Sequence, residues 1–397
     1  MLFSAIEQAP ADPILGLTEA FKADPRSNKI NLGVGIYKNE AGQTPVLDSV
    51  KRAETALLEQ VTSKSYLGIE GVPAYAKAVQ ALLFGSESAL LKDNRVFTAQ
   101  APGGTGSLRV AAEFLNKVAG ANKIWVSNPT WANHSAIFQA AGLEVASYSY
   151  YDKASHGLNF DGMVADLEAA KAGDVLLVHG CCHNPTGIDL NLDQWKAVAE
   201  LCLAKGLVPL FDFAYQGFAK GIDEDAAGLR LVAEHLPEVM VANSFSKNFG
   251  LYNERIGAVS LIASNQEEGA RAFSQVKRLI RGIYSNPPAH GALIVSHILN
   301  DAELTALWHS EVAEMRDRIQ QMRTIFVSKL GEAGIDQDFS FIERQNGMFS
   351  FSGLTPEQVA QLKDEHGIYI VGSGRISVAG MTLSNMDNLV AGIKAVL

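Results

Sequence analysis

Cysteine is scarce in this chain. There are 3 in 397 residues, two of them adjacent (Cys181 and Cys182), so no disulfide framework can be drawn. A reducing cytoplasm suits such a sequence. No apolar run approaches the ~20 residues needed to span a bilayer. The start, "MLFSAIEQAPADP", has neither the basic nor the apolar region of a secretory signal. Positive charge is also short: 33 Lys and Arg against 43 Asp and Glu leave a net charge of −10. That argues against nucleic acid or an anionic membrane as the main partner. The overall field repels small anions, so an anionic ligand would need local arginines. Internal repeats, low-complexity tracts and long linkers are missing too.

What is present fits a large enzyme domain with a smaller companion. "DVLLVHG", "LVPLFDF" and "VMVANSFSK" are short apolar runs separated by the helical stretches "DQWKAVAELCLAKG" and "AAGLRLVAEHL", with Gly206 as a helix stop. Strand, helix, strand, helix, strand predicts an α/β fold with a mostly parallel, doubly wound sheet. Right-handed crossovers put the strands' carboxyl ends on one edge, where open α/β sheets bind ligands. Earlier, "NRVFTAQAPGGTGSLRVAAEFL" reads as strand, glycine turn, helix. The long helical pattern "AELTALWHSEVAEMRDRIQQMRTIFVSKL" leads into a smaller α+β domain containing "GMFSFSGL" and "YIVGSGRISVAG", which "NKINLGVGIY" joins. The expected division is 1–43 as N-terminal arm and part of the small domain, 44–312 as the large domain, and 313–397 as the C-terminal small domain.

Several residues could carry chemistry. The glycines around Thr105 (Gly103, Gly104, Gly106) open a helix whose free N–H groups would attract phosphate, although a plain tight turn has the same appearance. Asp212 ends a strand, where it either caps a helix or meets a cation, such as a protonated ring nitrogen. Tyr215 could donate to the same ring. In "SFSKNFGLYNERIG", Lys247 and Arg255 are either ordinary loop charges or a reactive amine beside an anion that needs the arginine. "HGCCHNPTG" suggests a zinc site only if helical; its proline and glycine make a turn, so no metal is expected. Asn184 of that turn is placed to bond a ligand. Arg375 and Arg281 are planar donors of the type that hold carboxylates, or else surface ion-pair residues.

Taken together with "NLGVGIY", "YLGIEG", "GGTGSLR", "NPTWANH", "HNPTG", "DFAYQGF", "YSNPPAHG", "NGMFSFSGL" and "GRISVAGMT", these pieces resemble the aspartate aminotransferase family of fold-type I pyridoxal-phosphate enzymes, in its aspartate/aromatic subgroup. The resemblance runs nearly end to end. It implies that Lys247 carries pyridoxal 5'-phosphate covalently and serves as the proton-transfer base. Ser244, Arg255, Gly104, Thr105 and Tyr66 would hold the phosphate, Tyr66 reaching across from a second subunit of a homodimer. Asp212 would pair with the pyridinium nitrogen, supported by His134; Tyr215 and Asn184 would bond the ring oxygen, and Trp131 would stack on the ring. Arg375, with Asn184, Trp131 and the backbone of Gly35, would take the α-carboxylate, and Arg281 of the other subunit the distal carboxylate. Ser377 stands where relatives commonly have asparagine.

The implied activity is ping-pong transfer between L-aspartate and 2-oxoglutarate. The alternatives are an aromatic (tyrosine) aminotransferase of the same family and, more distantly, a non-catalytic cofactor-binding regulator. Such regulators carry a DNA-binding helical module, which does not suit so acidic a chain.

Overall fold

The computed structural model describes residues 2–9 and 14–397; Met1 and residues 10–13 of the expected N-terminal arm lie outside the described residues. The chain forms two compact units. One comprises Pro45–Arg318 with Gln345–Gly347, the other Met1–Thr44, Ile319–Arg344 and Met348–Leu397.

The larger unit is built on a seven-stranded sheet. Its strands are β1 (Val96–Pro102), β2 (Lys123–Asn128), β3 (Glu144–Ser149), β4 (Val175–His179), β5 (Val208–Phe213), β6 (Val239–Ser244) and β7 (Ile256–Ile262), in the order β1-β7-β6-β5-β4-β2-β3. Every pairing from β6 to β3 is parallel, whereas β7 runs antiparallel to both of its neighbours. The α/β expectation therefore holds, with one reversed strand. All of β4 and all of β6 are buried, which explains why their sequences are continuous apolar runs rather than alternating ones. Each of Leu176, Leu177 and Val178 contributes about 1.5–3 kcal/mol by leaving water.

Local signals fix the flanking helices. Leu192–Lys205 begins with a capping box between Asn191 and Gln194 and stops at Gly206 in the left-handed region. Its buried residues, Trp195, Val198, Ala199 and Cys202, recur at helical spacing on one face. The helix Gly103–Lys117 follows β1 directly.

The smaller unit is α+β. Ile30–Asn31 pairs in parallel with Ile368–Tyr369, and Phe349–Phe351 pairs antiparallel with Arg375–Ser377. Capping boxes start its helices Pro356–His366 and Leu383–Val396. The helix Ala302–Glu332 begins in the larger unit's sequence and ends in the smaller's, so no loop marks the change. No described helix is long and apolar enough to cross a membrane.

Candidate active site

Because β1 and β6 both pair antiparallel with β7, they point the same way, and so do β5, β4, β2 and β3. Their carboxyl ends share one edge, and the start of β7 arrives there too. That edge collects Gly103 after β1, Thr130 and Trp131 after β2, His179 at the end of β4, Asp212 in β5, Ser244 at the end of β6 and Arg255 just before β7.

Asp212 is the most constrained of these groups. It is 8% exposed, and its Oδ2 lies 3.0 Å from Nε2 of the fully buried His134. Burial pushes its carboxyl up, but the hydrogen bond and charge of His134, with His179 and Lys247, outweigh this and hold it below the ordinary value. An ionised carboxylate only accepts, so Nε2 of His134 carries the hydrogen. Thr130 Oγ1 lies 2.8 Å from Nδ1 of the same ring. Trp131 meets His134 edge-on at 5.2 Å. Across the parallel register, His179 stands opposite Asp212.

Lys247 is half-buried, with Nζ 4.6 Å above the ring of the buried Tyr215. Ser244 Oγ donates to Ser246 Oγ at 3.1 Å. Arg255 donates through Nη1 to that same Ser246 Oγ at 3.3 Å and to the Tyr252 carbonyl at 3.0 Å. Gly103 has φ +71°, and a Cβ there would fall on the Arg255 guanidinium. A Cβ on Gly104 would come within 3.3 Å of Ser244 Cβ. Thr105 is exposed in the same first turn. The positive end of the helix, the Arg255 guanidinium and the hydroxyls of Ser244 and Ser246 thus lie close together, a donor set that suits a phosphate. An anionic carboxylate within reach of a lysine suits a protonated pyridine bearing an aldehyde, so the donor set fits the cofactor expected from the sequence.

Asn184 is buried in the turn after β4. The rest of that turn does not form a cysteine–histidine cluster. Both nitrogens of His183 are engaged, by Ser127 Oγ and Thr186 Oγ1 at 2.8 Å each. Cys181 and Cys182 lie instead with Asp225, whose carboxylate accepts the N–H groups of Gly217, Ala219 and Lys220. His179 has no hydrogen-bond partner on either nitrogen among the described residues, and burial lowers its pKa to about 3.

Two expected residues are exposed rather than buried at the edge. Tyr66 is 92% exposed, and Arg281 is exposed with its guanidinium on Ser285 Oγ. In the smaller unit, Arg375 is buried, donates through Nη2 to the Gly33 carbonyl at 2.6 Å, and lies 4.2 Å over the ring of Phe349. A Cβ on Gly35 would strike that same ring. Ser377 is fully buried, and its hydroxyl has no partner among the described residues.

Sequence reasoning missed Thr130, Ser246 and Phe349. Thr130 stands four residues before His134, and Ser246 two after Ser244; these short spacings are the signals available. Phe349 lies in "GMFSFSG", with nothing local to tie it to Arg375.

An amine at the sheet's carboxyl edge, a strand-end carboxylate and a group of N–H, guanidinium and hydroxyl donors make the donor set of a cofactor-dependent group-transfer site. The profile described as "Aminotransferase class I and II" matches residues 27–393, and the chain belongs to that family. It is 59% identical to an aspartate aminotransferase of Salmonella typhi and 58% identical to one of Escherichia coli (strain K12), each covering all of both chains. Among solved structures, an aromatic-amino-acid aminotransferase from Burkholderia pseudomallei, covalently bound to pyridoxal phosphate, superposes with a TM-score of 0.97 at 52% identity over both full chains.

Proposed function

We propose that this chain catalyses reversible transfer of the amino group of L-aspartate to 2-oxoglutarate, giving oxaloacetate and L-glutamate by a ping-pong course with pyridoxal 5'-phosphate. One observation carries the reading: a buried carboxylate, Asp212, is held anionic by His134 within reach of the charge of Lys247.

When bound, pyridoxal phosphate supplies an electron sink for the pair left when the amino acid's α-proton departs. Lys247 would hold the cofactor through its amine and would move the proton from the substrate's Cα. Asp212 would keep a proton on the ring nitrogen, oriented by His134. Tyr215 and Asn184 would bond the ring oxygen, and Trp131 would lie against the ring. Gly104, Thr105, Ser244 and Arg255 would hold the phosphate. Arg375, with Asn184, Trp131 and the Gly35 backbone, holds the α-carboxylate; its support by Phe349 and Gly33 favours this role.

The active form is a homodimer in which Tyr66 and Arg281 serve the other subunit's site. Their exposure in a single chain supports this. An unpaired buried arginine costs about 3–5 kcal/mol, equivalent to a preference for dicarboxylates of roughly a hundred- to a few-thousand-fold at ~1.4 kcal/mol per decade. Since Arg281 is exposed here, that preference arises only where a second copy buries it. The three cysteines are free thiols, which fits a cytoplasmic location.

Aromatic transfer is the second reading, favoured by the Burkholderia likeness. The higher identity to the two aspartate enzymes weighs against it. Borohydride reduction of the holoenzyme, digestion and mass measurement test the central claim. A pyridoxyl group on the Lys247 peptide supports it, and an unmodified peptide refutes it. The expected kcat/KM is higher for aspartate than for phenylalanine; the reverse order moves the protein to the aromatic branch.

A further inference from the structure

Lys247 has a flexible four-carbon stem, so the position of its amine depends on how firmly its backbone is held. Asn248, the next residue, is 1% exposed and gripped from two sides. Trp308 Nε1 donates to the Asn248 carbonyl oxygen at 2.7 Å, and Asn248 Nδ2 donates to the Gln216 carbonyl oxygen at 3.2 Å. Gln216 directly follows Tyr215, whose ring lies under Lys247 Nζ. Trp308 is fully buried and stacks on Phe249 at 4.3 Å and 16°. Phe249 meets Phe245 edge-on at 5.3 Å, and Phe245 meets Tyr75 edge-on at 5.8 Å. Tyr75 closes the row by donating to the Gly257 carbonyl at 2.7 Å. Aromatic side chains before and after Lys247 therefore pack into one buried row, while the Asn248 amide joins the lysine segment to the tyrosine segment.

We propose that Trp308 and Asn248 are positioning residues for the transfer reaction. The indole N–H fixes the backbone immediately after Lys247. The Asn248 amide ties that backbone to the one carrying Tyr215, so amine and phenol keep a set separation while the proton moves. The inference rests on Lys247 being the cofactor-bearing amine. Its force comes from the sensitivity of proton transfer to geometry: a displacement of about 1 Å lowers rate by about a hundredfold.

The test uses two conservative variants as holoenzymes. Trp308→Phe keeps an aromatic ring against Phe249 but loses the N–H together with part of the buried indole; Asn248→Ala keeps the carbonyl that Trp308 reaches and loses the tie to Gln216, so it isolates the hydrogen-bond effect. Both are expected to lower kcat for aspartate by about 10–100-fold while KM stays within about twofold, because the carboxylate-holding residues are untouched. The pH at which the holoenzyme's visible absorbance changes is expected to shift in both, since the surroundings of the Lys247 amine change. If kcat and that absorbance titration match the parent in both, the proposal fails even if thermal stability drops, because packing alone then explains the contacts. Should Trp308→Phe not fold, Asn248→Ala decides alone. Lys247→Ala separates the two claims. If it keeps borohydride-trapped cofactor and turnover, the lysine assignment is wrong; if it loses both while the other variants behave as the parent, only this inference falls.

Discussion

His134 Nε2 lies 3.0 Å from Asp212 Oδ2, and Thr130 Oγ1 holds the other nitrogen of the same imidazole at 2.8 Å. One buried ring is thus fixed at both ends, and the carboxylate at the ligand edge inherits its orientation. The same contact has a pH consequence. Asp212's folded pKa is depressed, so its ionised form adds stability above the ordinary carboxylate value, and that stability is lost as pH falls through the lowered one. In His134→Phe the largest lowering influence is gone and only His179 and Lys247 still oppose burial, so the carboxyl's pKa rises. The acid limb of the stability profile is then expected to move to higher pH, measured as Tm between about pH 3 and 8. An unmoved limb would remove His134 as the cause.

Gly103→Ala places a side chain at φ +71° and against the Arg255 guanidinium. The backbone penalty of about 1–2 kcal/mol weighs on apoenzyme and holoenzyme alike and lowers Tm. Displacing the Arg255 guanidinium removes a charged hydrogen bond worth about 1.5–3 kcal/mol, so cofactor affinity, read by fluorescence titration of the apoenzyme, is expected to fall about 10–150-fold. Retained affinity would show that Gly103 and Arg255 do not hold the phosphate.

Arg281→Asp reverses the charge proposed to meet the distal carboxylate. The expected loss in kcat/KM for aspartate is roughly a hundred- to a few-thousand-fold, with phenylalanine much less affected. Steady-state kinetics on both substrates check this, and parallel losses would reject the assigned role.

Phe349→Leu removes the aromatic face beneath Arg375 while keeping a comparable apolar volume. A cation–π contact is worth about 0.5–2 kcal/mol, so KM for aspartate is expected to rise about 2–30-fold. Binding of an unreactive dicarboxylate, followed by calorimetry, should weaken in step. A change in stability with no change in binding would make Phe349 a core residue only.

The sequence reveals most where one short segment determines the outcome. β4, β5 and β6 are legible because strands buried on both faces read as unbroken apolar runs, and Gly206 is legible as a stop because few residues tolerate its backbone. The equally apolar "IGAVSLI" conceals its antiparallel direction, which depends on pairing with Val96–Pro102 far away in the chain. Lys247, Asp212 and Arg255 stand out through ordered motifs. Ser246 and Thr130 do not, because a serine or threonine near a charged group is commonplace until the fold sets their distances. The change of unit between Arg318 and Ile319 is invisible in the sequence for another reason: it falls inside one continuous helix whose periodicity never breaks.

The reversed direction of β7 has a further effect. Because it starts where β6 ends, the Lys247 amine and the Arg255 guanidinium, the proposed cofactor-bearing and phosphate-holding groups, ride on a single hairpin connection, residues 245–255. Adding or removing one residue in that connection would displace both groups at once, so its length is as much a part of the chemistry as the side chains it carries.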